Sequence, residues 1–327
     1  MALALVALAM ALSACGSASG GDTRSPLPHP HAAVPIHVGG TPLAVAVGAG
    51  GTWVADNSGS RVIELDAMSG RPIGAPIRVA AGPQAIAVGE GGVWVASGDG
   101  TVTRIDPGTR KARRAPERIA DAGGIAVGEG AVWVTSRAND TVTRFDPRSL
   151  SSVGDPIPVG TQPTDVTVGA GAAWVANTAD GTVTRIDASS AEPDDPIAVA
   201  DFQVLGLCFG EKGVWAAKTD DRLARNIEVV RIDPGSSRVG HEAAQVSAAI
   251  PIRLAAGEGG VWATLVGGVR PPESRPRPGQ VALLDPASLD KPTEQVGVGD
   301  RPAGIAVGDG AVWVADSGSS SVTRIGL

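Results

Sequence analysis

Apolar and polar positions alternate in short runs along most of the chain, most clearly at residues 83–109, PQAIAVGEGGVWVASGDGTVTRIDPGT. Three runs rich in small apolar or β-branched residues occur there, at 85–88, 93–95 and 101–105, and turn residues bound each one. Runs this short favour β-strands over helices, and the turns favour hairpins. A fourth run, Pro-Ile-x-Val, follows in several copies. The pattern therefore predicts antiparallel units of four short strands.

The number of tryptophans indicates how many of these units the chain contains. The chain has seven, and all occupy the same place in the repeat: Trp53, Trp94, Trp133, Trp174, Trp215, Trp262 and Trp313. Four short strands in a period of about 40 residues are typical of a β-propeller blade. The repeat therefore predicts an all-β fold, a seven-bladed β-propeller of four-stranded antiparallel blades.

The two ends of the repeat region complement each other. Residues 35–39 match a fourth strand that has no first three strands before it, and the chain stops after a third strand at 321–325. We expect the N-terminal strand (35–39) to complete the last blade and close the ring, so that residues 33–327 form the propeller. Pro156 and Pro158 place the fourth strand at the blade edge, because a central strand cannot lose both N–H donors.

The first 32 residues differ from the repeats. Residues 1–14 form an apolar run that predicts a secretory signal peptide, and residues 12–15, Leu-Ser-Ala-Cys, resemble the bacterial lipoprotein processing box. Lipidation of Cys15 would leave residues 15–32, rich in Gly, Ser and Pro, as a flexible tether. The expectation is an exported protein anchored to the cell membrane and facing the extracellular or periplasmic side. The alternative is an ordinary signal peptide with an incidental cysteine.

The composition of the chain limits the classes of function that it can have. The net charge is −7 and long Lys/Arg runs are absent, which argues against nucleic-acid binding. Two cysteines cannot form a disulfide framework, and Cys208 lies in an apolar run that predicts a buried thiol. No metal-ligand spacing occurs among the four histidines, so we expect no metal and no cofactor. The expected state is a monomer.

Two blades depart from the repeat. The distance from the tryptophan to the Asp that closes the third strand is 13 residues at 133–146, 18 at 215–233 and 23 at 262–285. The extra residues fall between the second and third strands, in loops 218–226 and 265–279. Strand direction places both loops on the face that also carries the links between blades. Insertions confined to one face of a repeat array commonly mark the binding face.

Charge favours an anionic partner for these loops. Together they carry +3 on a chain of −7, which predicts a basic patch. The competing interpretation is tolerated loop growth, because long surface loops cost little. The candidate binding residues are Lys218, Asp221, Arg222, Arg225, Arg270, Glu273, Arg275 and Arg277.

The repeat AIAVGEGGVWVASGDGTVTRIDP resembles those of virginiamycin B lyase (streptogramin lyase) and of the related YVTN/NHL-type bacterial propellers. The resemblance covers almost all of residues 33–327 and implies the propeller fold. Members of the lyase family use a His general base and acidic Mg²⁺ ligands on the sixth and seventh blades. Apart from His37 in the strand expected to complete the last blade, this chain has no His in either blade.

Two functional hypotheses follow. The first is a non-enzymatic scaffold, anchored to a membrane surface, that binds an unknown protein or an anionic ligand through the two long loops. The second is a lyase- or hydrolase-like enzyme with a site built from loops between blades. Its candidate residues are Asp165, Asp201, Asp221 and Asp300. We favour the first, because an enzyme of this kind normally needs a tuned acid or base.

Overall fold

Each predicted repeat forms one four-stranded antiparallel sheet in the computed structural model of the chain. The described residues are 27–31, 33–221, 227–246, 252–266, 278–289 and 292–327. Seven sheets are present, and the described residues contain no helix. The blade count predicted from the tryptophans is confirmed.

Strands occupy the same four positions in every blade. The inner strands are β2 (Pro42–Gly48), β6 (Pro83–Gly89), β10 (Ala122–Gly128), β14 (Pro163–Gly169), β18 (Gln203–Gly210), β22 (Leu254–Gly257) and β26 (Pro302–Gly308). The second strands are β3 (Gly51–Asp56), β7 (Gly92–Ser97), β11 (Ala131–Ser136), β15 (Ala172–Asn177), β19 (Gly213–Thr219), β23 (Gly260–Leu265) and β27 (Ala311–Asp316). The third strands are β4 (Arg61–Leu65), β8 (Thr101–Ile105), β12 (Thr141–Phe145), β16 (Thr182–Asp187), β20 (Ile227–Asp233), β24 (Gln280–Leu284) and β28 (Ser321–Gly326). The outer strands are β5 (Ile77–Arg78), β9 (Ala112–Arg118), β13 (Ile157–Pro158), β17 (Ile197–Ala198), β21 (Arg238–Val246), β25 (Glu294–Gly297) and, in the last blade, β1 (Val34–His37).

The N-terminal strand closes the ring as predicted. β1 pairs antiparallel with β28, so that Val34 lies opposite Arg324 and His37 lies opposite Ser321. The inner strands contact one another in chain order, and β26 of the last blade contacts β2 of the first. The sheet order β1-β28-β27-β26 therefore joins the beginning and the end of the propeller in one blade.

The seven tryptophans form the repeated core. Each side chain is at most 1% exposed. Trp53 packs against Ile86 and Val93 of the following blade, and its indole Nε1 donates to the Gly48 carbonyl at 3.0 Å. In four blades an arginine guanidinium lies 5.5–5.8 Å from the tryptophan ring centroid: Arg104 over Trp94, Arg144 over Trp133, Arg185 over Trp174 and Arg324 over Trp313. Truncating a tryptophan buried in this way costs about 3–5 kcal/mol.

The ring has two different faces. The loop face carries the loops between second and third strands and the links between blades, and the hairpin face carries the other turns. Residues 27–31 lie on the hairpin face, where the His31 N–H donates to the Gly326 carbonyl at 2.8 Å and Leu27 packs against the cluster that contains Trp262. The predicted signal peptide, residues 1–14, and Cys15 lie outside the described residues. No helix in the described part is long and apolar enough to cross a membrane.

Candidate functional site

The strands that bound the two long loops are in neighbouring blades: β19 and β20 bound one loop, and β23 and β24 bound the other. Residues 222–226 and 267–277 of these loops lie outside the described residues. Only Lys218 and Asp221 of the predicted binding residues belong to the described part of the chain. The other six lie outside it: Arg222, Arg225, Arg270, Glu273, Arg275 and Arg277.

Lys218 is held by carboxylates of its own blade. Its Nζ lies 2.7 Å from Asp220 Oδ2 and 3.4 Å from Glu228 Oε2, and its side chain is 15% exposed. Burial lowers the pKa of Lys218, but these two carboxylates outweigh it and leave the pKa above its usual value. The Asp221 N–H donates to Thr219 Oγ1 at 3.2 Å within the same turn. Lys218 therefore contributes less positive charge to the loop face than the sequence indicates.

A second feature of the loop face lies at the mouth of the central channel. One position in each blade stands four residues before the glycine of the inner hairpin, and in five blades it pairs with the residue two places after the tryptophan. We call this set the ring position. Its occupants, blade by blade, are Ala44, Ala85, Gly124, Asp165, Gly206, Arg253 and Gly304. Five blades have Gly or Ala there, and only the fourth and sixth have charged residues.

Small residues at the ring position allow the inner strands to approach closely. A Cβ added to Gly124 would lie 2.9 Å from Asp165 Cα and 3.0 Å from Val166 N, both backbone atoms of the next blade. A Cβ added to Gly304 would lie 2.7 Å from the Leu43 carbonyl oxygen. Packing therefore explains the small residues, but it does not explain the two charged ones.

Asp165 extends its carboxylate from the fourth blade to the fifth. Oδ2 accepts from the Leu207 N–H at 3.0 Å, and Oδ1 accepts from the Val166 N–H at 2.9 Å. The residue is partly exposed and lines the channel-mouth cavity. Burial raises the pKa of Asp165, and the charge of Arg253 with the two N–H groups offsets only part of the effect.

Arg253 belongs to the sixth blade and faces the same space. Its Nη1 donates to the carbonyls of Ile252 at 3.2 Å and Leu205 at 3.4 Å. The Asp165 carboxylate and the Arg253 guanidinium, both in the described part of the chain, lie more than 4.0 Å apart. The two opposite charges therefore face each other across a gap, with Gly206 of the intervening blade leaving the space open.

A cavity of about 690 Å³ occupies the channel mouth. Apolar side chains, such as Leu43, Ile86 and Leu254, share its wall with polar ones. On the side away from Arg253, Arg137 Nη2 donates to Gln84 Oε1 at 3.2 Å and forms an ion pair with Asp121. An apolar wall with a few convergent polar groups is the usual composition of a small-molecule site.

The other predicted carboxylates are not part of this cavity. Asp201 and Asp300 lie exposed on links between blades, where their N–H groups donate to Asp220 Oδ1 at 2.7 Å and Ser319 Oγ at 2.6 Å. Of the acidic candidates of the enzyme hypothesis, Asp165 alone lines the channel mouth within the described structure. No group of three or more His, Cys, Asp or Glu side chains suited to a metal ion occurs among the described residues.

Comparison with known proteins agrees with the architecture. No family model and no curated protein matches the chain. A structure of streptogramin B lyase matches with a TM-score of 0.68 at 16% identity, over 90% of this chain and 97% of that one. The fold is a seven-bladed β-propeller, and it resembles that of streptogramin B lyase. Virginiamycin B lyase from Staphylococcus aureus matches this propeller with a TM-score of 0.70 at 15% identity, over 90% and 98% of the two chains. A structure of U3-55K matches with a TM-score of 0.72 at 10% identity, over the same shares.

Arg253 is the residue of this site that the sequence analysis missed. The signal was present, because the ring position stands at a constant distance before the hairpin glycine, and aligning the seven copies exposes Asp165 and Arg253 together.

Proposed function

We propose that this chain is an exported, lipid-anchored propeller that binds a protein or an anionic ligand on its loop face without catalysing a reaction. One observation carries the proposal: the cavity with its two unpaired opposite charges opens on the loop face, while residues 27–31 leave from the hairpin face. A binding face opposite the point of attachment remains accessible to a partner.

The anchor is proposed from the sequence. Acylation of Cys15 would hold the protein at the membrane surface, and more than one acyl chain is needed for stable attachment. Residues 15–27, fully extended, could span about 40 Å. Because the chain meets the propeller on the hairpin face, this tether would direct the loop face away from the membrane.

The two long loops supply the proposed contact surface, at 218–226 and 265–279. Their net charge of +3 supports an anionic partner. Lys218 contributes little, since Asp220 and Glu228 neutralise it. The arginines of the two loops therefore carry the proposed attraction.

A second candidate function is a lyase- or hydrolase-like enzyme. The observation that favours it is Asp165, whose raised pKa and position in a cavity suit an acid–base group. The cysteine offers no nucleophile, because Cys208 is buried and burial raises the pKa of its thiol. We favour binding because, among the described residues that line the cavity, Asp165 has no second acid or base beside it, only the guanidinium groups of Arg253 and Arg137.

Capture from cell-envelope extract tests the binding function. Alanine replacement of Arg222, Arg225, Arg270, Arg275 and Arg277 should abolish crosslinked capture of a partner by the full chain. The matched control replaces three exposed arginines outside the loop face, Arg113, Arg114 and Arg148, and should leave capture unchanged. Equal capture by both variants would contradict the proposed loop surface.

Two further measurements test the lipid anchor and the enzyme hypothesis separately. Cys15→Ser should move the protein from the membrane fraction to the soluble exported fraction, whereas unchanged fractionation would contradict lipidation. Addition of Mg²⁺ or Ca²⁺ should leave the melting temperature unchanged, whereas a metal-dependent rise would favour the enzyme.

A further inference from the structure

Packing between blades does not require a charged residue at the ring position. Five blades close the same contact with Gly or Ala, as Ala44 does in the first blade and Gly304 in the last. Asp165 and Arg253 interrupt this series in blades four and six only. A departure confined to two of seven copies of a repeat marks a place where something other than repeat packing sets the residue.

The arrangement also lacks the direct contact expected of a structural ion pair. Asp165 satisfies its oxygens with the backbone N–H groups of Leu207 and Val166, and Arg253 Nη1 donates to backbone carbonyls. Burial disfavours the ionised form of Asp165 and raises its pKa. Such costs are tolerated where a ligand or a reaction uses the group.

Gly206 keeps the space between the two charges open. A Cβ at this position would lie 3.3 Å from the Ile252 carbonyl oxygen, 3.6 Å from Asp165 Oδ2 and 3.9 Å from Arg253 Cα. A larger side chain there would occupy space beside both Asp165 and Arg253. These two residues line the cavity of about 690 Å³, a volume within the range of about 300–1,000 Å³ typical of small-molecule sites.

The charges define what this gap can accept. A simple anion attracted by Arg253 would meet the Asp165 carboxylate, and a simple cation attracted by Asp165 would meet the guanidinium. A ligand with both charges matches both groups, because a guanidinium binds a carboxylate through two parallel N–H donors and a carboxylate binds an ammonium group. The apolar wall, including Ile86 and Leu254, suits an apolar side chain on such a ligand.

We propose that the channel mouth binds a small zwitterion, an α-amino acid or a dipeptide with an apolar side chain, with its carboxylate on Arg253 and its ammonium group on Asp165. This inference rests on the proposed binding function of the loop face and specifies a ligand class for the cavity. It does not involve the two long loops.

Calorimetry on the full propeller tests the ligand class. The probes are free apolar amino acids and glycyl dipeptides with an apolar second residue, each compared with its N-acetylated and C-amidated form. At least one free dipeptide or amino acid should bind, and either blocking group should weaken binding about tenfold or more, because each removes a charge-assisted hydrogen bond. If no free probe binds more tightly than its blocked forms, the inference is wrong.

Two variants assign the ends of the ligand. Arg253→Met should remove the preference for a free carboxylate over the amide, and Asp165→Asn should remove the preference for a free ammonium group over the N-acetyl form. The exposed Asp201→Asn, outside the cavity on the same face, is the matched control and should keep both preferences. A purely structural role would lower the melting temperature without separating the two preferences, and that result would overturn the proposal.

Measurements of stability and of partner capture distinguish a failure of zwitterion binding from misfolding of a variant and from a failure of the proposed loop surface. The melting temperature of each unliganded variant shows whether it folds, and Arg253→Lys replaces Arg253→Met if the latter does not. Lysine keeps the charge but not the paired donors, so binding of the free probe should still fall about tenfold. Loss of zwitterion binding with intact capture through the loop arginines would contradict this inference alone.

Discussion

The buried carboxyl of Asp316 provides a quantitative test of how ionisation inside a blade affects the stability of this propeller. It ends β27, its side chain is fully buried, and Oδ2 accepts from Thr323 Oγ1 at 2.5 Å while Oδ1 has no hydrogen-bond partner. Burial raises the pKa of Asp316 to about 6, the Thr323 hydroxyl and the Gly299 N–H oppose the rise, and the nearby Asp300 carboxylate adds to it.

The same place in the fourth blade shows what an amide does there. Asn177 Nδ2 donates to Thr182 Oγ1 at 3.0 Å and to Thr184 Oγ1 at 2.8 Å. Ser321 and Thr323 occupy the equivalent positions beside Asp316. Asp316→Asn should therefore find two hydroxyl acceptors and lose only the ionisation.

The sign of the pH effect follows from the direction of the shift. The folded state binds the Asp316 proton more tightly than the unfolded state, whose carboxyl has a pKa near 3.8. The associated stability is complete below that value and is lost as pH rises through about 6. The difference between the two pKa values corresponds to an upper limit of about 3 kcal/mol of unfolding free energy. Asp316→Asn should be more stable than the natural protein at about pH 8 by up to this amount, and about equal at pH 4.

Urea unfolding followed by tryptophan fluorescence at both pH values measures this difference. Asp56→Asn is the control, at the same place in the first blade. Burial would raise the pKa of Asp56, but the Thr41 N–H at 2.8 Å and Arg61 Nε at 2.7 Å outweigh it and hold the pKa below its usual range. That variant should lose about 1–3 kcal/mol near neutral pH. If Asp316→Asn is instead destabilising at pH 8, or leaves the pH dependence unchanged, the assignment of a buried, unpaired carboxylate is wrong.

Three further predictions concern packing. Cys208 should resist thiol reagents in the native state of a Cys15→Ser variant and react only on unfolding, because burial raises the pKa of its thiol; rapid native labelling would contradict this. Removal of all residues before 40 should lower the melting temperature, since β28 loses its partner strand; an unchanged melting temperature would show that β1 does not close the ring. Gly124→Ala should lower the free energy of unfolding in urea by about 1–3 kcal/mol, because its Cβ would lie 2.9 Å from a backbone atom of the next blade. The control Gly108→Ala, with no neighbour closer than 3.6 Å, should lower it clearly less. Equal effects would refute the close approach.

The blade architecture could be predicted because every copy of the repeat carries the same sequence pattern. A single tryptophan position with its flanking turns fixes a four-stranded unit, and seven copies leave one ring size. The complementary fragments at 35–39 and 321–325 then predict closure. The repeated Asp residues after the third strand form turns: Asp66 Oδ1 accepts from the Ser69 N–H at 2.7 Å, and Asp106 Oδ1 accepts from the Thr109 N–H at 2.7 Å.

The candidate site was harder to predict because it depends on contacts between blades. Asp165 meets the Leu207 N–H and the field of Arg253 only after blades four, five and six stand side by side. Lys218 shows the same difficulty, since its neutralisation by Glu228 depends on the pairing of β19 with β20. Sequence gives the charge of a loop, whereas the strand register decides which charges remain available to a ligand.

The central claim is that binding occurs on the loop face, opposite the tether. Its most direct test places a photo-crosslinking amino acid at exposed Asp201 on the loop face, or at exposed Lys212 on the hairpin face, in the full anchored chain. After irradiation of intact cells, the account predicts a specific partner crosslink from position 201 and none from position 212. A crosslink from position 212 alone would contradict it.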